Sequence, residues 1–488
     1  MNKPIFLISF LILFLFGQTT LCQENSIVSL KLSEVILLAR ENSLGAQQAS
    51  TRLDNKFWQY RTFKAGLLPQ ISLNATLPDF SRIIDPVIQD DGSQQFREVS
   101  RSITSAGLSL FQNIGLTGGQ IFLRSDLQRI DNIAPYTDYS YSSVPVTIGL
   151  SQPLFSFNSY RWDKRIEPLR YEESQRSYVE EMEEVSEEAV SQYFELLLAQ
   201  VGLDIAEKNV ANNDTLYKIA VGRYNLGKIA ENELLQLELS LMNARQKRAE
   251  TELDVELNTL ELKTFLNLDV EKLHLFLPEL IPAFEVDEEL ALDEARKNRS
   301  DLLAFKRMLL ESDKEVAKAK GEAGLNVNLF ASYGLTQQAN NLEYIYSDPQ
   351  DQQQVRLGLQ VPLLDWGLNK SKIKTAEANA SLIRADVRQQ EENFDREVFL
   401  LVKQFKMQRS QLTVAKKSDE IAQKRYDIAK NRYLIGKIGI TDLNIATEEK
   451  DRAKQSYISS LRNFWTTYYK LRRLTLYDFE RGVPLFTE

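Results

Sequence analysis

The chain is short of the residues on which most chemistry depends. Among 488 residues there is one histidine, His274, and one cysteine, Cys22. A zinc centre needs several such ligands and a thiol nucleophile needs a base beside it, so both classes are excluded. The net charge is −9 and no block of five or more Lys/Arg occurs, so the basic footprint of a nucleic-acid binder is missing. Gly115–Gly119 lacks the Lys-Ser/Thr of a phosphate loop, so no cofactor is expected. No nucleophile–base pair stands out, and an enzyme is not expected. After the N-terminus no run approaches 18 apolar residues, which excludes a transmembrane helix. Proline is almost absent from two long stretches, 165–226 and 370–435, where only Pro168 occurs, near one start.

The N-terminus accounts for the lone cysteine. Lys3, an apolar run from Ile5 to Phe16 and the exit Gly17–Cys22 read as a secretory signal peptide, residues 1–22, with cleavage between Cys22 and Gln23. The alternative is a lipid-modified, retained Cys22, against which Leu21 occupies a position where a small residue is wanted. An exported chain without a transmembrane helix can span a bilayer only as a β-barrel.

What is present is a repeat. Val146–Leu154 (VTIGLSQPL) and Val355–Leu363 (VRLGLQVPL) lie 209 residues apart, as do Arg223–Ile229 (RYNLGKI) and Arg432–Ile438 (RYLIGKI). Ala65-Gly66-Leu67 matches Ala323-Gly324-Leu325 at 258, so the first copy carries 49 additional residues, between about 78 and 143. Two copies are too few for a solenoid and indicate a tandem duplication, residues 23–284 and 285–488. Each copy is expected to open with a helix (Leu32–Lys64; Glu288–Lys320), continue through two strands, and end in a long helical hairpin. Ile71, Leu73, Ala75 and Leu77 alternate with Ser72, Asn74 and Thr76; Val355, Leu357, Leu359 and Val361 alternate with polar residues in the same way. Such alternation suits a lipid-facing barrel wall or a soluble sandwich. Phe80, Tyr136, Tyr139, Tyr141, Tyr344 and Tyr346 near the strand ends suit an interfacial girdle. The proline-poor runs would each extend about 90–100 Å as straight helices, with Gly227 and Gly436 marking the reversals.

The duplicated strand–helix junction around Pro153 and Pro362, and the duplicated tip Arg-Tyr-x-x-Gly-Lys-Ile, resemble the TolC-like outer-membrane efflux proteins. The resemblance covers nearly the whole mature chain. It implies an α+β fold in the outer membrane: a homotrimer in which each chain adds four strands to a shared twelve-stranded β-barrel contacting outer-membrane lipid. Its helices would form a periplasmic α-helical barrel. It further implies docking of a periplasmic adaptor protein and an inner-membrane pump at the tips, for efflux of small molecules or type I secretion. The family's tip tyrosine and first pore-facing aspartate map onto Tyr433 and Asp442, with Tyr224 and Glu233 as first-copy counterparts. Ile445 and Ile438 replace a second aspartate and a constricting arginine, so a double acidic ring and an arginine latch are not expected. A plainer reading makes Tyr433 and Asp442 turn and cap residues. Alternative functions are a periplasmic adaptor with helical hairpins and a secreted hydrolase, the latter without a catalytic set.

The 49-residue excess reads as a β-hairpin, expected to extend or cap the pore rather than to add strands to the wall. The acidic cluster Glu180, Glu181, Glu183, Glu184, Glu187 and Glu188 reads as a solvated helix face. His274 reads as a linker residue between the copies. Trp162 and Trp366, near the junction prolines, read as interfacial anchors or as packing between helix and barrel.

Overall fold

The computed structural model describes residues 27–88, 92–135, 137–278 and 284–486. The expected signal peptide, the Cys22–Gln23 cleavage and Tyr136 fall outside the described residues. The first copy runs β1 (Ile27–Leu30), α1 (Leu32–Asn42), α2 (Leu44–Gly66), β2 (Gln70–Ile88), β3 (Gln94–Ile114), β4 (Gly119–Ala134), β5 (Asp138–Leu154), α3 (Ser159–Asn225) and α4 (Glu231–Leu266). After β6 (Lys272–Leu275) the second copy runs α5 (Glu288–Asn298), α6 (Ser300–Ala323), β7 (Asn326–Ala339), β8 (Gln350–Gln360), α7 (Leu368–Leu434) and α8 (Ile440–Thr475). The described residues form two compact units, one from 27–43, 188–278 and 415–462, the other from the remaining described residues.

Each opening helix is two helices, where one had been expected. Ser43 (ψ 150°) and Arg299 (ψ 146°) are extended, ending α1 and α5 before the chain re-enters helix one residue later. Apolar periodicity continues across both breaks, so spacing alone could not reveal them. His274 lies in β6, which pairs in parallel with β1, Ser29 opposite His274, so it is a strand residue and not a free linker.

The second unit contains a six-stranded antiparallel sheet in the order β2-β3-β4-β5-β7-β8. The additional hairpin, β3 and β4, is inserted between β2 and β5 as part of this sheet, which corrects both the expected extension or cap and the four strands per chain. The reason is in the register. Ile71, Leu73 and Ala75 of β2 sit opposite Leu110, Leu108 and Ala106 of β3, so the hairpin continues the same apolar face strand by strand. The β3–β4 turn is also tied to the helix ends. Gln112 Nε2 donates to the Leu67 carbonyl at 2.7 Å, and Asn158 Nδ2 donates to the Gly115 and Leu116 carbonyls at 3.2 and 3.1 Å.

The acidic stretch of α3 is largely not a solvated face. The Glu183 side chain is fully buried and accepts from Arg472 Nε and Nη2 at 2.9 and 3.1 Å. Arg472 also donates to Asp478 at 3.1 Å, and Asp478 accepts the Tyr468 hydroxyl at 2.9 Å. Glu180 accepts from the Ser300 amide and hydroxyl at 2.8 and 2.9 Å, satisfying the N-terminus of α6. Glu181 pairs with Arg52, and Glu184 and Glu187 with Arg473. A carboxylate leaves water at modest cost only when a cation and hydrogen bonds replace it, and here they come from segments distant in sequence.

Candidate functional site

Two regions carry residues that composition and packing do not explain: the hairpin tips and the sheet. At the tips, both long helices end in the same backbone motif. Gly227 and Gly436 adopt φ of 66° and 73°, a conformation in which a β-carbon is strained. Lys228 N–H reaches the Arg223 carbonyl and Gly227 N–H the Tyr224 carbonyl; Lys437 and Gly436 repeat this with Arg432 and Tyr433. Those bonds are the Schellman arrangement, and they reverse the chain within a few residues.

Between the tips lies a small core of Leu216, Ala220, Leu237, Tyr426, Tyr433, Ile440 and Leu443, with Ile438 against it. Tyr433 is 2% exposed, whereas its counterpart Tyr224 is 39% exposed. The Arg223 guanidinium lies 5.8 Å from the Tyr433 ring centroid and donates to the Leu434 carbonyl at 2.8 Å, joining the two tips. Burial raises the Tyr433 phenol above its usual range, Glu233 adds to this and Arg223 opposes it, so the hydroxyl stays protonated.

The fold thus brings Tyr433 together with Arg223 and Glu233. Asp442 is exposed in the first turn of α8, where the helix dipole favours a negative charge. Glu233 occupies the first turn of α4. Ile445 is exposed and Ile438 is packed into the tip core, as apolar residues in place of polar ones permit. Arg223 was missed in the sequence, where attention fell on the tyrosine of the repeated Arg-Tyr pair. Pro153 lies within β5 opposite Asn328, while Pro362 follows the end of β8.

The sheet separates polar from apolar along every strand. Ile71, Leu73, Leu108, Ile148, Leu357 and Leu359 stand on one face, each more than half exposed. Among the described residues nothing covers this apolar face. Ser72, Ser109, Arg124, Thr147, Ser332 and Gln354 occupy the other face by register. Toward the strand ends distant from the helices, Arg129 lies 5.5 and 5.9 Å from the rings of Tyr139 and Tyr141, as interfacial aromatics would. At the helix end, Trp366 is 90% exposed beside exposed Leu363 and Leu364, whereas Trp162 is half-buried with Arg165 over its ring. Three phenylalanines interrupt the polar face. Phe122 lies 6.4 Å from Phe111 and 5.7 Å from Phe330, and crosses Gly149, where a β-carbon would meet its ring at 2.1 Å. Alternation by residue type could not assign them, because a phenylalanine on either face satisfies the pattern.

Among the described residues, no cluster of His, Cys, Asp or Glu could hold a metal, and no helix is long and apolar enough to cross a membrane. The family profile for outer membrane efflux protein matches residues 35–268 and 291–475, once per copy. The chain therefore belongs to the outer membrane efflux protein family, and its location is the outer membrane. Solved structures share the fold. The Campylobacter jejuni CmeC outer membrane channel is 16% identical, over 91% of this chain and 85% of that one, with a TM-score of 0.65. The outer membrane protein VceC from Vibrio cholerae is 14% identical over 91% and 95%, TM-score 0.63. The Neisseria gonorrhoeae MtrE outer membrane channel is 15% identical over 91% and 88%, TM-score 0.61. Curated protein sequences provide no match.

Proposed function

We infer that this protein is a trimeric exit duct: a β-barrel wall in the outer membrane continued by helices into the periplasm, passing substrates delivered by an inner-membrane pump through a periplasmic adaptor. The observation that carries this reading is the sheet. It has an apolar face exposed to lipid, a polar face for a lumen, and two open edges that hydrocarbon would not tolerate unpaired. A second feature supports self-association. On α7, Leu400, Met407, Val414, Ile421 and Ile428 are all exposed and follow one another at seven-residue intervals, with Ile435 just past the helix end continuing the series. On α4, Leu253, Leu257 and Leu260 are exposed as well. Apolar seams of this period are coiled-coil surfaces awaiting a helix, and a second copy supplies one.

In this reading the tips form the periplasmic entrance. Three copies of Asp442 around the axis concentrate negative potential and favour cations. Tyr433, held by Arg223, ties the two tips of one chain into a unit that moves together when an adaptor docks. The test is direct. The protein should fractionate with the outer membrane, run as a trimer by native mass in mild detergent, and form cation-selective channels in a planar bilayer. A soluble periplasmic monomer would overturn the barrel. Channels whose selectivity and multivalent-cation block are unchanged by Asp442→Ala would remove Asp442 from the entrance.

A further inference from the structure

We propose that the wall of this duct has eighteen strands rather than twelve, because the hairpin β3–β4 is part of the transmembrane sheet and the free edge of β2 pairs with the free edge of β8 in a neighbouring copy. The proposal rests on the trimeric reading above and specifies the size of the pore it makes.

Three observations carry it. First, the hairpin is paired on both sides over its length: Ile103–Phe111 with β2 and, through β4, Gln120–Arg124 with Leu150-side residues of β5. A cap or arm would leave β2 and β5 paired with each other; here they are separated by two strands. Second, the β3–β4 turn is held level with the strand–helix junctions on both sides. Gln112 and Asn113 donate to the Leu67 and Gly66 carbonyls at the end of α2, and Asn158 donates to the turn from just before α3. Strands anchored at one level and 16–21 residues long, as β2 to β5 are, cross the same slab. Third, both faces of the hairpin match their neighbours: Leu108 and Leu110 extend the apolar row, and Ser109 and Arg124 extend the polar one.

The open edges point to the partner. β2 runs away from the helices and β8 runs back toward them, so an edge of one and an edge of the other meet antiparallel in an up-and-down wall. Gln70–Leu77 carries no charge and no proline; Pro78 and Pro86 come only later in the strand. Its exposed edge has none of the features that discourage pairing, and among the described residues no strand of the same copy pairs with it. An even number of strands closes the wall.

Width follows from strand number. With strands about 4.8 Å apart and tilted by about 40°, eighteen strands close at about 36 Å between backbones, against about 24 Å for twelve. After side chains are subtracted, the wider barrel remains an open aqueous channel, and its polar face of Ser109, Arg124 and Gln354 suits bulky hydrophilic cargo.

Electron microscopy of the full-length trimer tests the count. Eighteen strands with a β2–β8 seam between copies are expected. A trimer with a twelve-stranded wall and β3–β4 outside it would overturn this proposal and leave the exit duct intact. An assembly of any other copy number would overturn the reading on which the proposal rests. As an independent measurement, poly(ethylene glycol) is added only to the outer-membrane face of trimers in a planar bilayer. The size cut-off for lowering conductance should fall by at least about one third in diameter when residues 94–134 are deleted, since twelve strands replace eighteen and the same side-chain layer is subtracted from a narrower wall. An unchanged cut-off in a deletion variant that still forms trimers would show that the hairpin does not line the wall.

Discussion

The two copies occupy comparable places in one fold and have been put to different uses. In the second copy, α8 carries Phe464, Trp465, Tyr468 and Arg472, where the 209-residue offset places Val255, Glu256, Thr259 and Lys263 in α4 of the first. Phe464 and Tyr468 are buried with Phe405, their rings 5.3 and 6.2 Å from it, and Arg472 is bound by two carboxylates. The neighbouring first-copy leucines, Leu253, Leu257 and Leu260, are exposed. At the tips the same divergence recurs, with Tyr433 buried and Tyr224 open. In the sheet it reverses: the first copy supplies four strands and the second two. The difference teaches that duplication conserved backbone turns and junctions, where geometry allows few solutions, and released the helix faces. One copy's face became a core within the chain, and the other's remained available for a neighbour.

The largest expected effect breaks this comparison at its most asymmetric pair. Arg472→Ala leaves Glu183 buried without a cation and should cost about 3–5 kcal/mol. Lys263→Ala, at the equivalent position of the first copy, should cost about 0–1 kcal/mol. Denaturant unfolding of the two variants side by side measures the gap, and equal losses would mean the ion cluster is not the stabilising feature of the second copy.

A smaller effect compares strands of the two copies. Leu357→Arg in β8 and Leu108→Arg in the inserted β3 should each cost about 2–4 kcal/mol if they face lipid near the midplane. Asn328→Arg and Ser105→Arg, on the polar face and opposite uncharged partners, should assemble normally. Trimer yield in outer-membrane extracts reads all four, and normal assembly of Leu108→Arg alone would take β3 out of the bilayer.

Smaller again is the contrast between the acidic residues at the tips. Asp442→Ala removes a first-turn charge worth about 0.3–1 kcal/mol to its helix and should weaken cation selectivity. Glu233→Ala should leave selectivity nearly unchanged, because Glu233 lies close enough to the buried Tyr433 to raise its pKa. Reversal potentials under a salt gradient separate the two.

The least effect is one of pH. Burial raises the Glu180 carboxyl above its usual value, with Arg299 and the Ser300 donors opposing. The folded protein therefore holds this proton more tightly than the unfolded chain. The contribution is most favourable below the unfolded pKa of about 4.3 and is lost as pH rises through the raised folded value. Glu180→Gln keeps the acceptor for Ser300 and should flatten that part of the stability–pH curve. An identical slope in the variant would assign it to other groups.

The sequence alone determined the duplication, the tip glycines and the strand alternation, because each is written locally: a left-handed turn selects glycine, and a wall between lipid and water enforces a period of two. It also determined the family, since the junction and tip motifs recur at one spacing. The place of the additional hairpin was decided only by tertiary pairing, because Leu108 and Leu110 alternate in the same way whether they face lipid or a cap. The same holds for Glu183, whose nearest charged neighbours in sequence are all acidic and whose cation, Arg472, arrives from 289 residues away. Tyr433 and Tyr224 sit in nearly identical heptapeptides, and only the packing of one hairpin against the other buries the first and leaves the second open. Local geometry constrains what a few neighbouring residues can do; burial and charge pairing depend on which distant segment folds against them.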